Sequence, residues 1–577
     1  MAITRKPLAA IAALAVAASL AGCGGGGGNN NASSNNGASK KGGTLYYLTG
    51  PRLVEHWDPQ RTYIGRDITN ASRLFYRGLV TYPVTADNTE GTTPVADAAT
   101  DTGTSTEGGK VWSFTLKDGI KWQDGKPVTC EDYKYGLSRG FATDVITGGP
   151  NYILGYLDVP HDKGGLPLYN GPYKKAHQAD FDKAVTCNGN TITYRFNKPW
   201  PDFPQAIASL AFADPFRQDQ DKGNGSNYQI FSNGPYMLEG TWKSGQGATF
   251  VRNPQWDSST DDVRKALPDK IVFSEGNEDE AVYDRLFADS GNDKYAVTDR
   301  RVPPSFYSRL SEAGDRYTQV ESSYVDYVLP NFNSEVMKNP AVRKALAEST
   351  DKTAWINAGG GDKAFKPAYS IVNPAVPGYV KNPAFADIPD AGDPAAAKQM
   401  LTDAGVKLPV KIKFTYSGGT PTSDKQARAL KAGWDKAGFD VQLDPLTDTY
   451  YDVVQKPDAD FDVTWGGWGA DWPSIATVIP PLFDSRINLT SNSNGQDYGN
   501  YKNPEINSMI DEAAASPDVD TAAAKYAEID AKMGEDVAYI PLEITLFNFL
   551  HGSKVTGYIT GIASFNYPDL GGVGVEQ

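Results

Sequence analysis

The sequence predicts an α/β protein built from more than one domain, and three observations carry this. Its 577 residues exceed what a single hydrophobic core organises. Between Asp393 and Leu443, helix and strand patterns alternate cleanly. Two of those strands flank one helix, a crossover that implies a parallel pair with a right-handed connection. Within this stretch Asp393-Pro394 opens a helix that Gly405 closes. Val410, Ile412, Phe414 and Tyr416 then alternate with Lys411, Lys413 and Thr415, as a half-buried strand requires. A helix from Thr422 to Ala437 stops at Gly438, and Phe439 to Leu443 is the next strand.

The remaining elements follow in chain order. Gly43 to Leu48 reads as a first strand, Asp58-Pro59 as a turn, and Asn70 to Leu79 as a helix ending at Gly78. The run VWSFTLKDGIKWQDGKPVTCEDYKYGLSRGF, Val111 to Phe141, holds a strand, two Asp-Gly turn pairs and a helix from Cys130 to Ser138. Thr129 and Asp132 have capping-box spacing at that helix. Strands are expected at Thr191–Phe196 and from Leu267 to Phe273, and a helix from Asn277 to Ala288. A new unit starts near Tyr327, and Asn339-Pro340 caps a helix over Ala341–Thr350. Tyr450–Gln455, a strand at Phe461–Trp465 and a long helix from Pro517 to Met533 extend it.

The N-terminus reads as an export signal. Arg5 and Lys6 precede an apolar run, Leu8 to Leu20, too short to span a membrane. Leu20-Ala21-Gly22-Cys23 resembles a lipoprotein signal-peptidase box, which implies cleavage before Cys23 and a diacylglyceryl anchor on its sulfur; plain secretory cleavage near Ala-Gly with an incidental cysteine is the alternative. Residues 24–43 are Gly, Asn and Ser with almost nothing apolar, a flexible tether. The formal charge of −15 makes nucleic acid an unsuitable partner, because phosphate binding needs Lys and Arg. Cys130 and Cys187 remain for a disulfide in an oxidising compartment, with two buried thiols as the alternative. Closing that loop would be worth about 4 kcal/mol in chain entropy.

The Val111–Phe141 run closely resembles the signature of extracellular solute-binding proteins of the oligopeptide/dipeptide type, which serve ABC importers. Ser232-Asn233-Gly234-Pro235-Tyr236, Val251-Arg252-Asn253-Pro254 and Val342-Arg343-Lys344-Ala345-Leu346 match further turns and a helix of that family. The resemblance implies a two-lobed periplasmic-binding-protein-like (Venus-flytrap) α/β fold with an extra subdomain in the first lobe and a two-strand hinge. It divides the chain into a signal peptide (1–22), tether (23–43), lobe I (44–75, 200–326 and 543–577), extra subdomain (76–199) and lobe II (327–542). It also implies a monomer that hands a small peptide to a membrane permease from the outer face of the cell membrane.

The chemistry should sit in Phe461-Asp462-Val463-Thr464-Trp465-Gly466-Gly467-Trp468-Gly469-Ala470-Asp471-Trp472-Pro473. Glycines admit a second backbone, tryptophans give flat walls, and a carboxylate among them is desolvated and seeks a cation. Gly467-Trp468-Gly469-Ala470-Asp471 resembles the family's Gly-Trp-x-x-Asp motif. This implies that Asp471 pairs with the peptide α-ammonium, Gly467 and Gly469 meet its backbone, and Trp468, Trp465 and Trp472 form the walls. Family topology puts Tyr63 and Ile64 on the opposing wall. Helix capping by Asp471 and core packing by the tryptophans are the alternatives.

Other motifs are decoys. Gly119 and Gly125-Lys126 mimic a phosphate loop, but Pro127 stands where Ser or Thr must bind magnesium. The four histidines, His56, His161, His177 and His551, lack metal-ligand spacing, and no H-E-x-x-H motif occurs. No cofactor and no enzymatic activity is expected. The same fold binding an oligosaccharide, a metal chelate or a signalling peptide is the runner-up, and a secreted hydrolase stands behind both.

Overall fold

The computed structural model describes residues 40–149, 152–447 and 449–576. The leader, Cys23 and the tether up to residue 39 lie outside the described residues. Among the described residues no helix is long and apolar enough to cross a membrane.

Lobe I is built on a five-stranded sheet. Its order is Ala296–Thr298, Thr44–Leu48, Lys270–Ser274, Gly247–Arg252 and Tyr236–Lys243. The two turns marked in the sequence lock together at one corner. Asn253 donates its backbone N–H to the Pro235 carbonyl and its amide to the Gly234 carbonyl, at 2.8 and 2.9 Å. A Cβ on Gly234 would press within 2.9 Å of the Phe75 backbone, so this turn is structural.

The extra subdomain carries a four-stranded sheet, ordered Thr104–Thr106, Val111–Thr115, Thr191–Arg195 and Val185–Asn188. The helix Cys130–Arg139 packs on it. Its cap is as the spacing predicts: the Asp132 carboxylate accepts from the Thr129 N–H at 2.9 Å. Cys130 and Cys187 form a disulfide that closes a 57-residue span. At the other end of this helix Arg139 meets Asp58 of lobe I in a two-point ion pair, at 2.7 and 2.6 Å, with both side chains fully buried. The Asp58-Pro59 turn is therefore an anchor for the signature helix as well as a bend.

Lobe II holds a six-stranded sheet ordered Phe365–Pro367, Ile540–Leu550, Tyr317–Pro330, Val463–Gly469, Val410–Ser417 and Phe439–Leu446. The last two strands are parallel, in register from Val410–Phe439 to Ser417–Leu446, with helix Pro421–Lys436 as the crossover. Tyr317–Pro330 and Ile540–Leu550 pair antiparallel and run from lobe I into lobe II as the hinge. Their register shifts between Glu321 and Val325 and again between Asp326 and Tyr327.

Two elements differ from their expected places: the strand expected at Phe461–Trp465 runs from Val463 to Gly469, and the first helix starts earlier. The first helix is Gly65–Leu74, about a turn before the predicted Asn70–Leu79. Its early turns carry Arg66 and Asp67, residue types that read as surface. Both are buried: Arg66 pairs with Asp67 at 2.7 Å and with Asp299 at 2.8 Å, and Arg73 pairs with Asp569 at 2.9 Å. Long-range ion pairs thus pay the desolvation cost that local periodicity cannot foresee.

Candidate functional site in the interlobe cleft

The strand Val463–Gly469 enters the cleft with one edge open. It pairs with Tyr317–Pro330 along its length, from Pro330–Val463 to Tyr324–Gly469. Its other neighbour, Val410–Ser417, is bonded only opposite Val463 and Thr464. From Trp465 onward that edge has no strand partner among the described residues. The Trp465 carbonyl takes the Tyr450 hydroxyl.

Alternation then sorts the motif. Trp465, Gly467 and Gly469 share one face with Val328, Asp326 and Tyr324, their directly opposed partners. Gly467 and Tyr324 are exposed on this face. A Cβ on Gly467 would come within 2.7 Å of Asp326 Oδ1, and one on Gly469 within 3.0 Å of the Tyr324 ring. The two glycines keep this face low enough for a second backbone. Trp468 points the other way. Its indole N–H donates to the Thr477 carbonyl at 2.8 Å, and Thr477 Oγ1 accepts from the Asp471 N–H at 3.1 Å. Trp468 therefore braces the turn that carries Asp471.

Asp471 is where the lobes meet. Its carboxylate accepts from the Tyr63 hydroxyl at 2.9 and 2.8 Å, and from the Tyr152 hydroxyl. Tyr63 comes from lobe I and Tyr152 from the extra subdomain. Burial raises the Asp471 pKa, and the two phenols partly offset that rise. Among the described residues no cation takes part. Around this contact lies a cavity of about 50 Å³, lined by Tyr63, Gly65, Ser323, Tyr324, Asp471 and Phe565 among others. It holds a few water molecules at most and no peptide.

The sequence-selected residues fall into two groups. Asp471, Gly469 and Tyr63 line the cavity, and Gly467 and Trp465 continue the same cleft face. Ile64 sits at the helix N-cap and its neighbours Gly65 and Ile68 line the cavity in its stead. Trp472 is 3% exposed and lies in the hydrophobic core of the extra subdomain. Its ring meets Tyr152 edge-on at 4.7 Å, and its N–H donates to Asp202 at 2.7 Å. Trp472 is thus a plug across the lobe contact and does not line the cavity at Asp471; core packing, the alternative reading, describes it. Tyr152 and Tyr324 were not singled out by the sequence. The Tyr152–Asp471 contact spans 319 positions, and no local pattern announces it.

A family model, bacterial extracellular solute-binding proteins, family 5 middle, matches residues 93–489. The chain belongs to family 5 of these proteins. The oligopeptide-binding protein OppA of Bacillus subtilis is 25% identical over 475 residues, covering 78% of this chain and 80% of that protein. The periplasmic murein peptide-binding protein MppA of Escherichia coli is 23% identical over 484 residues, covering 80% and 81%. Among solved structures, clavulanic acid biosynthesis oligopeptide binding protein 2 superposes with a TM-score of 0.84 at 25% identity, covering 93% of this chain and 96% of that one. This family 5 chain therefore has the two-lobed fold of extracellular solute binders, and its cleft is the place to seek the solute.

Proposed function

We propose that this protein captures extracellular peptides in the interlobe cleft and delivers them to the permease of an ABC importer. The edge open from Trp465 to Gly469, beside a half-buried carboxylate that no cation meets among the described residues, carries this reading. An extended peptide adds to the edge through main-chain hydrogen bonds, which are indifferent to side-chain identity. Its α-ammonium replaces the phenol donors at Asp471 and fixes the register. Gly467, Gly469, Trp465 and Tyr63 form the contact surface, while Trp468 and Trp472 hold it in shape. The relatives named for oligopeptide and murein-peptide binding support the same solute class. Cys23 carries the lipid anchor, which keeps the monomer at the outer membrane face, and the two-lobed closure presents the loaded form to the permease.

The test compares short peptides with free and acetylated N-termini by titration calorimetry. The free form binds and raises the melting temperature by mass action. Acetylation, or Asp471→Asn, costs about 2–5 kcal/mol, the range for one partner of a buried charge pair. Equal binding of the acetylated peptide rejects the role of Asp471 and favours a solute without an ammonium group.

A further inference from the structure

The hinge carries a second set of carboxyl groups on the cleft face. Asp326 and Glu543 stand directly opposite each other on the two hinge strands, next to the register shift at Asp326/Tyr327. Gly467 faces Asp326 from the third strand. Because Gly467 has no side chain, the Asp326 carboxyl is left open toward the cleft, flanked by Trp465. Glu543 behind it is 1% exposed, and its Oε2 has no hydrogen-bond partner.

The surroundings of this pair supply little positive charge. Trp355 and Gln426, from two helices of lobe II, face Glu543 and partly offset the rise in its pKa; Trp355 Nε1 and Gln426 Nε2 are buried without a hydrogen-bond partner. Tyr451 and Tyr327 lie near Asp326 as further titratable groups. Lys366, on the neighbouring strand, pairs with Glu321. From lobe I, Arg301 acts on Asp326 electrostatically, but it forms no ion pair among the described residues and stacks over Phe547 at 4.4 Å. Two adjacent carboxyls, Glu543 buried and Asp326 half-buried, do not both ionise beside a single cation that forms no ion pair with either among the described residues. Burial raises both pKa values, Asp326 to about 7; the Asp326 charge raises that of Glu543 further, while hydrogen bonding with Glu543 holds that of Asp326 down, so the pair keeps its proton on the Glu543 side at neutral pH.

We propose that the Asp326–Glu543 pair is the acceptor of a side-chain pocket that selects a ligand residue bearing a cationic side chain, Lys or Arg, in exchange for the proton the pair shares. The charge balances on both sides of this exchange. Without ligand, the singly protonated pair carries one negative charge opposite Arg301. With ligand, the proton leaves to solvent, and the side-chain cation takes its place between the carboxylates and the cleft. Spacing fits as well. Gly467 lies four residues before Asp471, and an extended chain advances about 3.3 Å per residue. A peptide anchored at Asp471 and running along Gly467–Gly469 brings the side chain of one of its first three residues over Gly467. This rests on the peptide reading above.

The experiment uses the mature protein and tripeptides with free N-termini, placing Lys or its uncharged isostere norleucine at each of the three positions in turn. Titrations at pH 7.5 run in two buffers of different protonation enthalpy. At one position Lys binds at least about tenfold tighter than norleucine, in the range of close charge pairs. At that position it also releases about one proton more, which a merely favourable surface charge would not do. Asp326→Asn and Glu543→Gln each abolish the difference. Equal affinity and equal proton release at every position overturn the pocket while leaving the peptide reading intact. Failure of all the tripeptides to bind, with or without Lys, overturns both.

Discussion

The two lobes bury acidic groups in opposite ways. In lobe I and its subdomain, arginine meets most of them. Asp58 has Arg139, Asp67 and Asp299 have Arg66, Asp569 has Arg73, and Asp97 has both Arg77 and Arg264. In lobe II and the hinge, Asp530 and Glu543 are buried and Asp326 and Asp471 half-buried, with no ion pair among the described residues, and desolvation raises the pKa of each. The first pattern is neutral within itself and fixes one arrangement. The second leaves acceptor capacity unfilled, and two of its sites open on the cleft. A lobe that must stay rigid and a lobe that must receive a cation would differ in this way.

The largest effect should come from breaking the first pattern. Arg139→Met takes the guanidinium from both Asp58 and Asp221, and leaves Asp58 only Arg61 at 3.4 Å. Removing one partner of a buried pair costs about 3–5 kcal/mol. Urea unfolding should show that loss, and the double variant Asp58→Asn/Arg139→Met should recover only part of it, because Asp221 still lacks the guanidinium and Arg61 has lost its carboxylate. A double variant no more stable than Arg139→Met would mean that packing, including the stack of Arg139 over Phe216 at 3.6 Å, dominates.

The second pattern can be tested away from the cleft, at Asp530. Burial raises its pKa to about 6, although Tyr539 and Ser370 donate to it at 2.6 and 2.9 Å. The sign follows from proton uptake. A carboxyl with a raised folded pKa binds its proton more readily when folded. Its contribution is complete below about pH 4 and is lost as the pH rises through 6. A rise from the usual 3.8 to about 6 corresponds to about 3 kcal/mol. Relative to the wild type, Asp530→Asn should therefore gain stability between pH 4 and pH 8. Parallel melting profiles across that interval would remove Asp530 from the contrast between the lobes.

This contrast was only half legible in the sequence. The crossover at 410–446, the cap at Thr129 and the Gly-Pro-Tyr corner rest on neighbours in the chain, and period, capping and turn residues announce them. The open edge of Gly467–Gly469 beside Asp471 was legible as a motif. The first helix was displaced because Arg66 and Arg73 are buried by aspartates more than two hundred and nearly five hundred positions away. The Asp326–Glu543 pair is invisible for the same reason: its register exists only once the hinge strands are side by side. Trp472 reads as a cleft wall until the subdomain core closes around it. What the chain hides is which polar group meets which, because that information lies in tertiary pairing.

The smallest predicted effect concerns the one lobe II carboxylate that lobe I does touch. Tyr63 is 41% exposed, and its hydroxyl bridges the cleft to Asp471. A hydrogen bond to a charged group is worth about 1.5–3 kcal/mol. Solvent access puts this one at the lower end. If the bond latches the lobes together without ligand, an arriving ammonium has to displace it. Tyr63→Phe should then enlarge the radius of gyration of the unliganded protein in solution scattering, by shifting the population toward the open form. The same change should tighten binding of a free-N-terminus peptide by up to about tenfold, since less closed, unliganded protein competes. Weaker binding with unchanged scattering would instead mean that the Tyr63 hydroxyl stays bonded to Asp471 in the loaded site. Asp471 would then share its phenol donor with the bound ammonium, and the two lobes would complete a single charge-neutral site only when loaded.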